Sequence, residues 1–344
     1  MSLTEFLPYQ LTRQGVLMEP LPGRADEAGG VLNPTVYEVG GRTYLMYRSV
    51  ADFPENFSRL GLAELVWTGG GYEVKRLDRP ALEPAAPYEL LDPEPGTAYC
   101  PGGGCEDPRV TPLDGKLYLC YTGYGGARVP RIALAVSDDG LAWNRLGLAR
   151  FTLHVAETAE GPVAIDFNHV DNKDAMLFPE RINGRYVLMH RPMFTPELKA
   201  RLNQTQSIWI SHSDDLLHWD SHQLVAAPEY PWERLKLGGG TQPIRVDAGW
   251  LIVYHGVDGD RDSDPNRRYS AGAMILDAND PGKVLYRSPR PILAPESAEE
   301  RVGVVNNVVF PTGLWPAPEG GGYLVAYGMA DRAIGWARMG ADRA

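Results

Sequence analysis

The sequence predicts an all-β fold, a five-bladed β-propeller whose ring is closed by its two ends sharing a blade, and three observations lead there. One unit recurs five times: a small-residue or proline entry, an apolar strand, a Gly or Asp turn, and a second strand ending in an aromatic residue or histidine. The residues that mark these ends, Tyr47, Tyr121, His190, Tyr254 and Tyr327, stand 74, 69, 64 and 73 residues apart, room for one four-stranded sheet each. Helical periodicity is nearly absent, while 38 Gly and 29 Pro punctuate short apolar runs, the pattern of radially repeated sheets.

The copies follow in order: "NPTVYEVGGRTYLMYRS" from Asn33, "EDPRVTPLDGKLYLCYTG" from Glu106, "DAMLFPERINGRYVLMHRP" from Asp174, "GGTQPIRVDAGWLIVYHG" from Gly239 and "NVVFPTGLWPAPEGGGYLVAYG" from Asn307. Between them, runs such as "RIALAVSDDGLAWNRL", "SIWISHSDDLLHWDSH" and "SAGAMILDANDPGKVLY" supply outer strands. In two of these, "SDDGLAW" and "SDDLLHW" read as Asp-rich turns, with Trp143 and Trp219 packed between blades. The final copy is followed only by "DRAIGWARMGADRA", and "QLTRQGVLMEPLPG" near the front has no copy of its own. The two segments are expected to complete one blade, making residues 1–344 a single five-bladed domain.

Composition removes several function classes. A formal net charge of -11 argues against a nucleic-acid or anionic-membrane partner, which needs a basic surface, so any anion site must be local. The start "MSLTEFLPYQLT" lacks a basic segment followed by an apolar core, and no run approaches the roughly 20 apolar residues that span a bilayer, so a cytoplasmic protein is expected. Cys100, Cys105 and Cys120 cannot all pair, and no CxxC or Cys/His cluster suggests zinc. His212, His218 and His222 flank one turn and are expected at the surface.

In a propeller the first strand of each blade lines the axial channel, so polar residues at the repeat ends meet in one mouth. Those residues are Asn33 and Arg48, Glu106, Asp107 and Arg109, Lys173 and Asp174, Lys236 and His255, and Asn307 and Asp331. Each alone could serve only to satisfy channel backbone or pair an arginine. Together they sort by charge, acids from the second and fifth copies and Lys/His from the third and fourth. A glycosidase that uses water needs two carboxylates, whereas phosphate is itself an anionic nucleophile and needs one acid and a cationic cradle.

The segments "EDPR", "NKDAMLFPERINGRYVLMHRP", "KLGGGTQPIRVDAGWLIVYHGV", "SAGAMILDANDPGKVLYRSPRPILAPE" and "NVVFPTGLWP" with "GGYLVAYGMAD" resemble, in order and over nearly the whole chain, the mannoside phosphorylases of glycoside hydrolase family 130. That resemblance implies a five-bladed propeller and inverting phosphorolysis of β-mannosides, reversibly giving α-mannose 1-phosphate and a shortened acceptor. It requires no cofactor or metal, with inorganic phosphate as co-substrate and an oligosaccharide as partner. It implies that Asp107 is the general acid and that Asn33, Arg48, Arg59 and Asp331 grip the transferred mannose. Lys236 and His255, joined by Lys173, are implied as phosphate ligands.

Gln242 in "GGGTQP" stands where the family more often has proline, and Lys173 where some members have arginine; neither change removes a charge. The alternative within the family is a hydrolase of β-1,2-mannosides, with Asp174, Asp331 or Glu180 as base, for which Lys236 and His255 have no obvious use. A carbohydrate-binding propeller without catalysis ranks lower, because the acid motif is intact. The charged stretch 258–268 reads as a solvated loop or as a wall of the acceptor subsite. Family members often assemble, which makes a homo-oligomer compatible with the sequence, although no stretch announces an interface.

Overall fold

The structure is a computed structural model that describes residues 9–51, 57–91, 102–125, 129–261 and 263–341. Strand β1 (Tyr9–Met18) comes first in the chain and is paired last. The first antiparallel sheet is β2 (Gly30–Val39), β3 (Arg42–Val50), β4 (Ser58–Trp67) and β5 (Tyr72–Arg76). The second is β6 (Gly104–Leu113), β7 (Lys116–Tyr124), β8 (Arg131–Ser137) and β9 (Asn144–Leu148). A short strand β10 (Arg150–Phe151) and a hairpin of β11 (His154–Thr158) and β12 (Gly161–Ile165) precede the third sheet.

That sheet is β13 (Asp171–Leu177), β14 (Tyr186–Met193), β15 (Ile208–Ser213) and β16 (His218–Ala226), with helix α1 (Pro196–Leu202) between its second and third strands. Strand β10 lies parallel to β16 at its outer edge. In the fourth sheet the inner strand is split into β17 (Lys236–Gly238) and β18 (Ile244–Val246), both paired with β19 (Gly249–Asp258), followed by β20 (Arg268–Leu276) and β21 (Val284–Arg287). After α2 (Ala298–Arg301), strands β22 (Val309–Pro316), β23 (Tyr323–Met329) and β24 (Ala333–Ala341) form the fifth sheet, and β1 pairs antiparallel with β24 to complete it. The expected sharing of one blade by the two ends is therefore present.

Three hairpin turns joining inner strands to second strands, Gly40-Gly41, Asp114-Gly115 and Asn183-Gly184, have positive φ at both central residues. This is the turn whose twist suits tightly connected antiparallel strands, and it explains why the sequence places Gly, Asp and Asn there.

Among the described residues five apolar cores each join two successive sheets, the last of them joining the fifth sheet to the first. Strand alternation divides the side chains between them. Trp250, Ile252 and Tyr254 of β19 join Met176, Phe178 and Val187 of the third sheet, while Leu251 and Val253 of the same strand join Val309 and Leu314 of the fifth. The last core joins Val31 and Leu45 of the first sheet to Leu324 and Trp336 of the fifth. Trp219, fully buried, lies in the core between the second and third sheets and Trp143 in the core between the first and second, as the turn motifs predicted.

Four of the five marker residues share a device. The hydroxyls of Tyr47, Tyr121, Tyr254 and Tyr327 donate to the buried carboxylates of Glu27, Glu89, Glu233 and Glu300. Each carboxylate also takes an arginine from the fourth strand of its sheet, Arg76, Arg145, Arg287 and Arg13 respectively. Backbone N–H groups of the segment that carries the glutamate donate to it as well, so each buried charge has both an ionic partner and hydrogen bonds. In the third sheet His190 replaces tyrosine and bonds instead to Asn172 (3.0 Å) and Ser211 (2.8 Å).

Candidate active site

The inner strands are interrupted at one equivalent place. The β2/β3, β6/β7 and β13/β14 ladders each skip there, and the residue in the gap, Asn33, Asp107 or Asp174, has a left-handed backbone with φ of 48°, 50° and 55°. Asn307, ahead of β22, has φ 60°. Asparagine and aspartate are the non-glycine residues that best tolerate this region, and a bulge of this kind re-aims one side chain without ending the strand. The residues paired just before the bulge bring Arg48 opposite Leu32, Thr122 opposite Glu106, Arg191 opposite Lys173 and His255 opposite Gly238. One ring of bulges and one ring of cross-strand partners thus gather the polar residues at one end of the channel.

On the acidic side, Asn33 Nδ2 donates to Asp107 Oδ1 at 2.8 Å. Arg48 spans the acid pair, with Nη2 2.7 Å from Glu106 Oε1 and Nη1 3.4 Å from Asp107 Oδ1. Asp331 adds a third carboxyl: burial pushes it up to about 6, with Arg48 pulling down and the Asp107 and Glu106 charges pushing up. Arg109 is fully buried and acts as a strut, its Nε donating to the Gly240 carbonyl across the channel (2.6 Å) and its Nη1 to the Asp107 carbonyl (2.9 Å). It therefore ties the Asp107 bulge to the fourth sheet.

On the cationic side, buried Asp174 receives Arg191 Nε at 2.5 Å and lies 3.7 Å from His255 Nε2. Burial alone would raise its carboxyl, but Arg191, His255 and Arg109 hold it down, to about 2. His255 is driven by burial to about 3 in spite of Asp174, and its Nδ1 is 2.9 Å from the Gly239 carbonyl. That carbonyl can only accept, so Nδ1 carries the ring proton and Nε2 offers a lone pair. Lys236, also buried, sits 5.6 Å from the centre of the Tyr269 ring. Three buried nitrogens, Arg109 Nη2, Arg191 Nη1 and His255 Nε2, have no hydrogen-bond partner among the described residues. Buried polar atoms are seldom left this way, and three around one carboxylate mark a place built for an added group rich in oxygen.

Family-level comparison identifies the chain. The profile described as beta-1,4-mannooligosaccharide phosphorylase, that of glycoside hydrolase family 130, matches residues 93–343. The chain belongs to glycoside hydrolase family 130. A 1,2-beta-oligomannan phosphorylase of Thermoanaerobacter sp. (strain X514) is 34% identical over 334 residues, 95% of each chain. A Beta-1,2-mannobiose phosphorylase of the same organism is 34% identical over 345 residues, covering 95% of this chain and 96% of its own. Among solved structures, the Listeria innocua Beta-1,2-Mannobiose phosphorylase superposes with a TM-score of 0.74 at 24% identity over 97% of both chains, which supports the fold.

Within this family 130 chain, Asn33, Arg48, Asp107 and Asp331 lie on one side of the pocket, and Lys236 and His255 with Asp174 on the other. Lys173 stands on β13 opposite Arg191 and beside Asp174. Arg59 pairs with Ser49 across β3 and β4, which puts it on the opposite sheet face from Arg48, and its Nε bonds Glu83 at 3.1 Å. Glu180 is exposed in the turn beyond β13, at the far end of that strand from Asp174. His222 is not a surface residue of the kind expected: it turns inward, bonded to Ser211 and Thr152, against Phe151 and Phe167. Arg267, next to last in the 258–268 stretch, is within electrostatic reach of Asp331. Gln242 is tied to the Leu314 carbonyl at 2.8 Å, away from the bulges.

Sequence reasoning passed over Arg191 and gave Arg109 no role. Arg191 had a signal: it follows His190 as Arg48 follows Tyr47 and His255 follows Tyr254. Arg109 had none, since only the folded ring reveals that it reaches Gly240.

Proposed function

We propose that this chain, acting as one catalytic domain, carries out inverting phosphorolysis of β-mannosides, releasing α-mannose 1-phosphate and an acceptor one unit shorter. The observation that carries this reading is the set of buried, unpartnered donors and acceptor around Asp174, facing a pocket whose other side is acidic. The names of relatives 34% identical over 95% of the chain support it. Asp107, aligned by Asn33 and Arg48, is the general acid for the leaving oxygen, and Asn33, Arg48 and Asp331 hold the mannose. Arg59 is a more remote contributor, since its guanidinium is engaged by Glu83.

Phosphate sits among Lys173, Lys236, Arg191 and His255. The arginine and lysine donors face its anionic oxygens, and His255 Nε2 accepts from the remaining P–O–H. Held there, the phosphate attacks C1 from the side opposite Asp107. The C1–O bond to the acceptor breaks as the C1–O bond to phosphate forms, and the acceptor oxygen takes the Asp107 proton. A single displacement inverts the anomeric centre. No redox or metal step is needed.

The test is product analysis from a panel of β-mannobioses and mannosyl-glucosides with and without about 10 mM phosphate, a level above usual Michaelis constants. Mannose 1-phosphate formed only with phosphate supports the reading, and the substrate that yields it gives the linkage. Free mannose at equal rates in both conditions replaces it with hydrolysis. Asp107→Asn should cost at least about a hundredfold in turnover while sugar binding persists, and full turnover by this variant overturns the assignment of the acid.

A further inference from the structure

A cleft of about 570 Å³ opens between the second and third sheets, apart from the residues placed around Asp107 and Asp174. Its walls include Tyr88, Arg131 at the start of β8, Arg150, Phe167, Asn168 and Asn172. Strand pairing fixes where it lies. Arg131 is opposite Gly123, one residue along β7 from Thr122, the cross-strand partner of Glu106. Asn172 is two residues before Asp174 on β13, and its N–H bonds the Pro130 carbonyl. The cleft thus begins beside the inner strand of the third sheet, at the same end of the ring as the acid and the cations, and runs outward.

Its innermost wall carries an unsatisfied group. Asn172 is 2% exposed, its amide oxygen is 3.0 Å from His190 Nδ1, and its Nδ2 has no partner among the described residues. The hydrogen bonds His190–Ser211 and Ser211–His222, each 2.8 Å, continue outward and hold that amide in one orientation. The site is therefore rich in donors: an amide, two guanidiniums and a tyrosine. Volume and lining suit a ligand of one or two sugar rings whose hydroxyl oxygens accept hydrogen bonds.

We propose that this cleft is a distal saccharide subsite, which takes the sugar units of a longer β-mannoside beyond those held at the catalytic pocket. The inference rests on the mannoside reading of that pocket. It makes the chain a phosphorylase of oligosaccharides in preference to disaccharides.

The test compares wild type with Arg131→Ala/Arg150→Ala, two partly or fully exposed positions whose loss should leave the fold intact. kcat/KM is measured at saturating phosphate from the disaccharide to roughly the pentasaccharide of the linkage the protein cleaves, and binding of the longest chain is followed by calorimetry. The expected result is a wild-type kcat/KM that rises with length, and a double variant that loses about tenfold on the longest chain with the disaccharide rate unchanged. A flat length profile in wild type overturns the proposal, as does an equal loss at every length. A raised phosphate KM with no length dependence also overturns it, and makes the cleft an anion site. If no β-mannoside is cleaved at all, the mannoside reading fails separately, and calorimetry decides the cleft: no difference between wild type and variant in binding the pentasaccharide removes it.

Discussion

At the scale of single residues, charge placement decides the behaviour of the pocket. Asp331 is an acid whose folded pKa, about 6, lies above its ordinary 3.8. The unfolded chain therefore releases that proton more readily, so the stability linked to Asp331 is complete below about pH 4 and is lost as pH rises towards and through 6. Asp331→Asn abolishes this loss. The variant's Tm relative to wild type should improve between pH 4.5 and pH 7.5, and a difference that stays constant with pH refutes the raised pKa. Gly238 shows the converse, a residue required for having no side chain. A Cβ there would come within 2.4 Å of Asp174 Oδ2, 2.6 Å of His255 Cε1 and 2.8 Å of Arg191 Nε. Gly238→Ala should raise the phosphate KM roughly tenfold or more while the far-ultraviolet circular dichroism stays that of the parent. An unchanged KM would detach Arg191 and His255 from phosphate. Both residues lay in motifs legible in the sequence, but the reason for Gly238 was not, because the three groups it faces come from three strands.

At the scale of elements, the recurring Tyr–Glu–Arg clasp secures each loop to the sheet beneath it. The sequence exposed the tyrosines by their spacing but hid the glutamates, which sit in connecting segments of different kinds, Glu300 for one within α2. Glu27, Glu89, Glu233 and Glu300 are all fully buried. Glu233→Ala leaves the Arg287 guanidinium without its buried partner and should cost about 3–5 kcal/mol, whereas Tyr254→Phe removes one hydrogen bond and should cost about 1–2 kcal/mol. Denaturant unfolding of the two variants reads both values, and equal losses would contradict the clasp. The third sheet departs from this scheme, and its histidine could be read as one more repeat marker only until the structure gave it Asn172 and Ser211 as partners.

At the scale of the whole molecule, strand pairing between β1 and β24 is the only hydrogen-bonded contact of β1 with a described sheet, and it brings Tyr9, Leu11 and Met18 into the cores. Arg13 of the same strand completes the Glu300 clasp. Removal of residues 1–18 should lower Tm by on the order of 10 °C or prevent folding, and a Tm within a degree or two of the parent would show that the ring does not depend on this closure. The ring itself was legible because repeats leave a period in the sequence. The split inner strand of the fourth sheet and the inserted β11–β12 hairpin were not, because each occurs once among the described residues. The bulges carry a last implication. A left-handed backbone admits few residue types, chiefly asparagine, aspartate and glycine, and the positions seen here are Asn33, Asp107, Asp174 and Asn307. Such a position works as a socket with a three-letter alphabet, in which one letter changes the charge by a single unit while the outline of the side chain barely alters. A lineage with this backbone can redraw the electrostatic pattern of its pocket one site at a time, with the scaffold left standing.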